Sequence, residues 1–396
     1  MIPADLSLHL PRSPAPSYVH KIHNYHSMAQ KRYLQSLLQI DLPLWSIICP
    51  IIGLLILLLT GEAHSGVMDV TMGIALIAVV LTAVHHAEVV AHKVGEPYGT
   101  LILALAITII EVSLIVTIML SEGIQGSTLA RDTVFAAIML ILTGIIGLCL
   151  LLGGYRFKEQ LFVKQGVSAA MVTLSAITIL TLVLPNYTTS EAGPVYSSSQ
   201  LIFVAIVSLV LYLSFVMVQA GRHRDYFLPK GDIAKKEDVH ADPPTNLTTI
   251  CSLVLLVLAL AVVVILSKKL SPAIESIVVN LGAPKSLVGI IIASVILLPE
   301  GLAAIRAARK NRLQTSLNLA LGSALASIGL TIPAVAIVGY FTGFTITLGI
   351  DTKSTLLLIL SLFTISISFG AGRTNILQGI VLLVILATYL FTTIVP

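Results

Sequence analysis

The sequence predicts an all-α, polytopic membrane protein. Of its 396 residues, 56% are hydrophobic and 11% are charged, whereas ordinary soluble domains hold roughly 45–50% apolar and about 25% charged residues. Apolar runs about 20 residues long, the length that crosses a bilayer as a helix, recur along the chain. Membrane lipids are therefore the expected surroundings, and no nucleic-acid partner is expected.

Eleven such runs are predicted to span the membrane. A polar tail at 1–43 precedes the first of them, and a charged, Pro-containing linker at 220–246 separates the sixth from the seventh. The chain then divides into a first helix at 44–61, a five-helix repeat at 67–219 and a second at 247–396. The predicted spans are 44–61, 67–91, 98–120, 132–153, 165–184, 199–219, 247–267, 285–305, 314–341, 353–370 and 375–395.

Lys and Arg residues are distributed unevenly between the two predicted sides. The tail, the linker and the loops on their side hold 18 of the 23 basic residues. Because cytoplasmic loops carry the excess of positive charge, we expect a cytoplasmic amino terminus and an external carboxyl terminus. For a bacterial chain we therefore expect a multi-pass protein of the inner (plasma) membrane with its carboxyl terminus in the periplasm.

The two halves resemble each other. HHAEVVAHKVGEP (85–97) matches SPAIESIVVNLGAP (271–284) at an offset of 187, and LTGIIGL (142–148) corresponds to LGSALAS (321–327). Between these matches, each half carries one deep acid, Glu111 in ITIIEVSLI and Glu300 in VILLPEGLA. The acids lie in the third and eighth spans, whose odd spacing makes them antiparallel. This pattern predicts the inverted repeat of many secondary transporters, with the substrate site where the repeats meet.

Two carboxylates in one dehydrated pocket need a counter-charge, because desolvation and mutual repulsion both disfavour the doubly ionised pair. We predict that Glu111 and Glu300 bind either protons or a transported metal ion, although a merely structural carboxyl in each repeat is the alternative. Ca²⁺ takes six to eight oxygen ligands. If the empty pocket is unfavourable, the carrier seldom reorients without bound ions. It therefore exchanges one kind of ion for the other obligatorily. The predicted additional oxygen ligands are Thr108, Ser113, Thr143, Ser294, Asn318 and Ser323.

Three further features each have two interpretations. Pro299 and Gly301 beside Glu300 indicate irregular backbone lining a cavity, or a simple helix kink. Asn318 is either a ligand or an inter-helix hydrogen bond. His85, Glu88 and His92 share one helix face and could form a metal or proton relay, or a solvated helix end. The zinc-binding motif HExxH is absent, and the inverted motif HxxEH is incomplete because Val89 stands at its last position. An intramembrane metallohydrolase is therefore not expected.

Four segments resemble the bacterial ChaA-type calcium/sodium:proton antiporters, in the cation-exchanger branch of the calcium/cation antiporter superfamily. The resemblance runs from about residue 67 to the end of the chain, in the same order. It implies that Glu111 and Glu300 are the central acids of the two repeat motifs, and that Ser323 is the serine of a Gly-Ser pair. The segments are GEPYGTLILALAITIIEVSLI (95–115), RDTVFAAIMLILTGIIGLCLLLGG (131–154), LLPEGLAAIRAARKNRLQTSLNLALGSALASIGLTIPAV (297–335) and ISFGAGRTNILQG (367–379).

The chain departs from the wider family pattern at several ligand positions. The Gly-Asn-Ala that precedes the motif acids is missing, Thr143 and Gly144 replace a Gly-Ser pair, and Ala326 replaces a glutamine. Fewer fixed oxygens predict weaker Ca²⁺ selectivity, with Na⁺ or K⁺ more competitive.

The resemblance implies a secondary active Ca²⁺/H⁺ antiporter that also carries Na⁺ or K⁺, extrudes the cation by alternating access and uses no cofactor. The alternatives are a monovalent cation:proton antiporter and, from another class, a cation channel. A homo-oligomer is compatible with the sequence.

Overall fold

The structure is a computed structural model that describes residues 42–59, 66–95, 98–122, 128–228, 244–280, 282, 284 and 286–395. Most of the predicted tail at 1–43 and the middle of the predicted linker at 220–246 lie outside these residues. Within them, nine helices are long and apolar enough to cross a membrane, and two shorter apolar helices cover Leu44–Leu59 and Leu105–Thr117. The fold class is confirmed: the described chain is an all-helical membrane protein.

Eleven helices coincide one for one with the eleven predicted spans. Their bounds are α1 (Leu44–Leu59), α2 (Gly66–Val94), α3 (Tyr98–Glu122), α4 (Leu129–Phe157), α5 (Lys164–Tyr187), α6 (Ser198–Arg222), α7 (Asn246–Asn280), α8 (Ser286–Arg309), α9 (Leu313–Thr342), α10 (Thr352–Phe369) and α11 (Ile376–Ile394). Two strands of three residues each, β1 (Glu159–Leu161) and β2 (Arg373–Asn375), pair antiparallel.

The seventh helix is longer than its predicted span at 247–267. It continues through Pro272 to Asn280, because in a membrane protein neighbouring helices can satisfy the backbone groups that a proline leaves free. The stretch matched to the end of α2 is therefore helical too. Both helices are followed by a glycine in the left-handed region, Gly95 with φ of 76° and Gly282 with φ of 69°, as is common just beyond a helix carboxyl end.

Equivalent helices of the two repeats make equivalent contacts. Helix α2 packs on α7, its own counterpart; α4 of the first repeat packs on α11, and its counterpart α9 packs on α6. Helix α1 stands outside this scheme and contacts α2 and α7. The contacts follow the inverted repeat of two five-helix units behind one amino-terminal helix.

Loops also pair across the repeats on both faces of the molecule. We call the face that holds Leu228 and Pro244 the linker face, since these residues border the linker. There β1, in the loop between α4 and α5, pairs with β2, in the loop between α10 and α11. On the opposite face, a single bridge joins Val195, between α5 and α6, to Thr347, between α9 and α10. Each face thus fastens one repeat to the other.

Helix α4 contains a wide π turn at Leu140–Ile145, whereas its counterpart α9 is α-helical from Leu313 to Thr342. Around this turn α4 lies against α11: a Cβ on Gly147 would come within 3.1 Å of Leu383. Such π turns add one residue to a helical turn and occur frequently at functional sites. The two equivalent helices therefore differ in the middle of the molecule.

Candidate ion-binding site

Glu111 is buried in the middle of α3, with 3% of its surface exposed. Most of its neighbours along α3 are apolar, as suits a membrane helix. Its partner comes from the other repeat: the Ser327 hydroxyl on α9 donates a hydrogen bond of 2.6 Å to Glu111 Oε1. Glu111 thus lies at the contact between the repeats.

Glu300 is the corresponding acid of α8 and is 9% exposed. Neither of its carboxylate oxygens has a hydrogen-bond partner among the described residues. Pro299, inside the helix, has no N–H for the carbonyl of Val295. On the other side of the acid, a Cβ on Gly301 would approach Ile145 Cδ1 to 3.2 Å, so α8 lies close to the π turn of α4. A buried carboxylate without a donor is a costly arrangement unless a cation or a proton neutralises it.

The two glutamates line one cavity of about 290 Å³. They are close enough for their charges to interact. The cavity wall is otherwise mostly apolar, with Tyr212, Phe215 and Phe227 as its aromatic members. A space of this size has room for a cation together with several water molecules. The arrangement can hold positive charge, in the form of protons or of a metal ion.

The predicted oxygen ligands fall into two groups. Thr108, Asn318 and Ser323 line the cavity with the acids. The other three are not among its lining residues: Thr143 donates to the carbonyl of Met139 at 2.5 Å, Ser294 donates to the carbonyl of Ile290 at 2.7 Å, and Ser113 is partly buried on α3. Within the described residues, no group of three His, Cys, Asp or Glu side chains is placed to hold a metal. Hydroxyl, carbonyl or water oxygens would have to complete a shell around the two carboxylates.

In this conformation Asn318 makes hydrogen bonds to protein groups, the second of its two interpretations. Its amide Nδ2 donates to the carbonyl of Phe227 at 2.6 Å, and its Oδ1 accepts from Gln314 at 2.9 Å. Both polar atoms are therefore committed to protein groups. Asn318 connects α9 to the residues that follow α6.

Ser327 was not among the predicted ligands. Its relation to Glu111 joins residues 216 positions apart, which neither periodicity nor motif spacing can place. The sequence offered one signal. The match of 142–148 with 321–327 sets Ser327 against Leu148, so the second repeat carries a hydroxyl where the first carries an apolar side chain.

The predicted group of His85, Glu88 and His92 lies near the linker-face end of α2. His85 packs its ring on Trp45 with centroids 5.1 Å apart, while Glu88 and His92 are exposed. Glu88 is close enough to Arg306 of α8 for their charges to interact. The deeply buried histidine is the neighbouring His86, whose Nε2 donates to the carbonyl of Ser46 at 2.9 Å. This contact fastens α1 to α2.

Comparison with known proteins places this chain in a family context. The family model described as "Sodium/calcium exchanger protein" matches residues 65–221 and 251–395, which are close to the two repeats. A protein of Sinorhizobium fredii (strain NBRC 101917 / NGR234), provisionally named the ionic transporter y4hA, is 45% identical over 89% of this chain and 97% of its own length. The sodium-potassium/proton antiporter ChaA of Escherichia coli (strain K12) is 33% identical over 88% of this chain and 95% of its own length.

Among solved structures, the crystal structure of the H⁺/Ca²⁺ exchanger CAX matches with a TM-score of 0.66 at 15% identity. The match covers 87% of this chain and 86% of that chain. The likeness shows a shared fold.

Proposed function

The chain belongs to the sodium/calcium exchanger protein family, and we propose that it is a secondary active cation:proton antiporter. It is a transporter rather than an enzyme, as are the relatives that it resembles. The observation that carries the proposal is the convergence of Glu111 and Glu300, one from each inverted repeat, on a single buried cavity.

The proposed exchange follows from the charge of this cavity. With both carboxylates ionised and nothing bound, two negative charges share a low-dielectric site, a state that desolvation and repulsion disfavour. Protons on the acids or a bound cation remove that charge. Only the loaded forms then pass easily between inward-facing and outward-facing states. Cation and protons therefore move in opposite directions by alternating access, and no cofactor takes part.

We propose Glu111 and Glu300 as the primary ligands and proton carriers. Thr108, Ser323 and the Ser327 hydroxyl supply further oxygens from the same cavity. Ser113, Thr143 and Ser294 could join them only after a rearrangement of their helices. Asn318 would first have to give up its bond to Phe227.

Ca²⁺ is the leading proposed substrate, with Na⁺ and K⁺ as further substrates. Two carboxylates neutralise one Ca²⁺, and water inside the cavity can complete the six to eight oxygens that it prefers. A monovalent cation:proton antiporter is the second candidate. Two observations favour it: the wall of the cavity is mostly apolar, and the 33% identical relative is named a sodium-potassium/proton antiporter.

We further propose that the linker face is cytoplasmic, in the inner membrane of a bacterium. The distribution of Lys and Arg in the sequence supports this orientation. The linker-face end of α8 and the short turn after it carry Arg306, Arg309, Lys310 and Arg312, which suit contact with anionic headgroups. The proton gradient would then drive cation extrusion.

Everted membrane vesicles test the proposal directly. After an acid-inside pH gradient is established, Ca²⁺, Na⁺ and K⁺ are added in separate experiments. Dissipation of the pH gradient and uptake of the cation are measured in each. Antiport predicts that uptake requires the gradient and that cation addition collapses it. A ranking of the three cations decides between the two candidates.

A channel gives a different result in the same vesicles. It would pass the cation down its own gradient without a pH gradient and without moving protons in exchange. Uptake that persists after the gradient is collapsed and that moves no protons out of the vesicles would overturn antiport. The Glu300→Gln variant serves as the control membrane, since it keeps the shape of the site and removes one charge.

A further inference from the structure

The residues that follow α6 fold into a compact segment against the cavity. We call residues 223–228 the strap. Within it, the Tyr226 amide donates to the carbonyl of His223 at 3.0 Å, and the Phe227 amide donates to the carbonyl of Arg224 at 2.9 Å. The rings of His223 and Tyr226 stack with centroids 4.9 Å apart. These contacts give the strap a defined local shape.

The strap is docked on α6 and α9. The Phe227 ring is 6% exposed and meets the edge of Phe215 on α6 with centroids 5.7 Å apart. The carbonyl of Phe227 accepts the 2.6 Å hydrogen bond from Asn318. Gln314 orients that amide by donating to Asn318 Oδ1, and its own Oε1 accepts from the Val163 amide. Asn318 is thus a pre-oriented donor aimed at the strap.

Helix α5 also contacts the strap, at a glycine that has no side chain to keep the strap away. Gly166, near the start of α5, lies against the strap so closely that a Cβ there would collide with the carbonyl oxygen of Tyr226 and approach the Phe227 ring to 3.2 Å. Only glycine permits this approach. The position lies outside the residues that line the cavity.

The strap forms part of the wall of the acid cavity. Arg224, Phe227 and Leu228 line the same cavity as Glu111 and Glu300, together with residues near the linker-face end of α9 such as Thr315. An apolar ring and a guanidinium at this wall oppose the passage of a metal ion. The strap therefore borders the cavity between the acids and the linker face.

We propose that the strap is the gate of the acid cavity on the linker face, and that Asn318 is the positioning residue that holds the gate closed. The inference rests on the proposed function only in what passes the gate. Opening requires the Asn318 bond to break and Phe227 to leave Phe215. The gate thereby couples access to the cavity to the segment that connects the two repeats.

Thiol labelling measures access to the cavity without any transport. We would replace Cys49, Cys149 and Cys251 by serine and introduce Ala326→Cys, since Ala326 lines the cavity and is 4% exposed. Labelling by a membrane-impermeant methanethiosulfonate is followed in everted and right-side-out vesicles. In the strap-intact protein we expect slow labelling from the linker face.

Two variants loosen the strap from different sides. Gly166→Ala displaces it sterically from outside the cavity. Asn318→Ala removes its anchor, and the loss of one buried hydrogen bond should raise the labelling rate about threefold to tenfold. Gly221→Ala is the matched control, because it lies just before the strap and a Cβ there meets nothing within 4 Å.

The proposal predicts faster labelling from the linker face in both loosened variants and an unchanged rate in the control. Unchanged labelling in Gly166→Ala and Asn318→Ala, or an equal increase in Gly221→Ala, would overturn it. Because labelling does not depend on exchange, a chain that fails to exchange cations could still show a working gate, and the reverse is equally visible.

Discussion

The two acids occupy equivalent places in the repeats and have different surroundings. Glu111 accepts a hydrogen bond from Ser327 of the opposite repeat, whereas both oxygens of Glu300 lack a hydrogen-bond partner among the described residues. At the position equivalent to Ser327, the first repeat carries Leu148. A hydrogen bond to a charged group is worth about 1.5–3 kcal/mol. An inverted repeat can therefore supply two carboxylates and still make them chemically unequal.

The inequality suggests separate roles for the acids. The ionised form of Glu111 is stabilised by the protein even without a cation, while that of Glu300 depends on what enters the cavity. We therefore expect Glu300 to respond most directly to proton and cation exchange.

The largest effect is expected from Glu300→Gln, which removes the charge of the acid that has no protein donor. Exchange should fall by at least about a hundredfold, since a fixed neutral amide can no longer alternate between proton and cation. The measurement is the initial rate of gradient-driven uptake in everted vesicles at matched expression. Normal uptake in this variant would remove Glu300 from the mechanism.

Ser327→Ala should have the next largest effect. Without its donor, the ionised Glu111 loses about 1.5–3 kcal/mol of stabilisation, so the apparent cation affinity at fixed pH should weaken at least about tenfold. The concentration of cation that gives half-maximal exchange measures this change. Ser316→Ala is a suitable control, since this buried hydroxyl also lies on α9 but does not line the cavity. Equal affinities in the two variants would show that the hydroxyl of Ser327 contributes nothing.

Leu148→Ser makes the first repeat more like the second. If the repeat symmetry holds in detail, the new hydroxyl lies near Glu300 and strengthens apparent cation affinity about threefold, less than the loss in Ser327→Ala because Leu148 is partly exposed. The same half-maximal concentration is measured. An unchanged or weakened affinity would mean that the symmetry does not extend to this side chain.

The smallest effect is expected at the strand pair that joins the two repeats on the linker face. The β1–β2 pair carries an ion pair between Arg373 and Glu159, with a distance of 3.6 Å and both side chains more than half exposed. Exposed pairs of this kind contribute at most about 1 kcal/mol. Arg373→Gln should therefore shift the thermal unfolding temperature of the detergent-solubilised protein by less than about 3 °C. A larger loss would show that the ion pair, rather than the strand pairing, joins the repeats there.

Hydropathy and internal similarity predicted the architecture because a bilayer imposes a helix length and a duplicated sequence retains its rare residues. All eleven spans appear as helices, and the acids share a cavity. The extent of α7 was underestimated, since Pro272 and the charged Lys268, Lys269 and Glu275 suggest an end that the helix does not make.

Contacts between distant segments could not be predicted in the same way. The sequence favoured His85 over His86, although both contact α1, because how deeply each residue of the pair is buried depends on the rotation of α2 about its axis. Ser327 and the Asn318–Phe227 bond likewise depend on how the two halves approach each other. A single sequence records the polarity of such residues and leaves their partners undetermined.

The π turn of α4 also has a consequence for how this chain can evolve. The π turn holds one residue more than an α-helical turn, so deleting one residue between Leu140 and Ile145 would restore a regular helix and leave the later residues of α4 on their present face. Deleting a residue in the α-helical part just after the turn would instead rotate every later residue by about 100°, and Gly147 would no longer face Leu383. A change of helix length is therefore accommodated at this turn more easily than on either side of it.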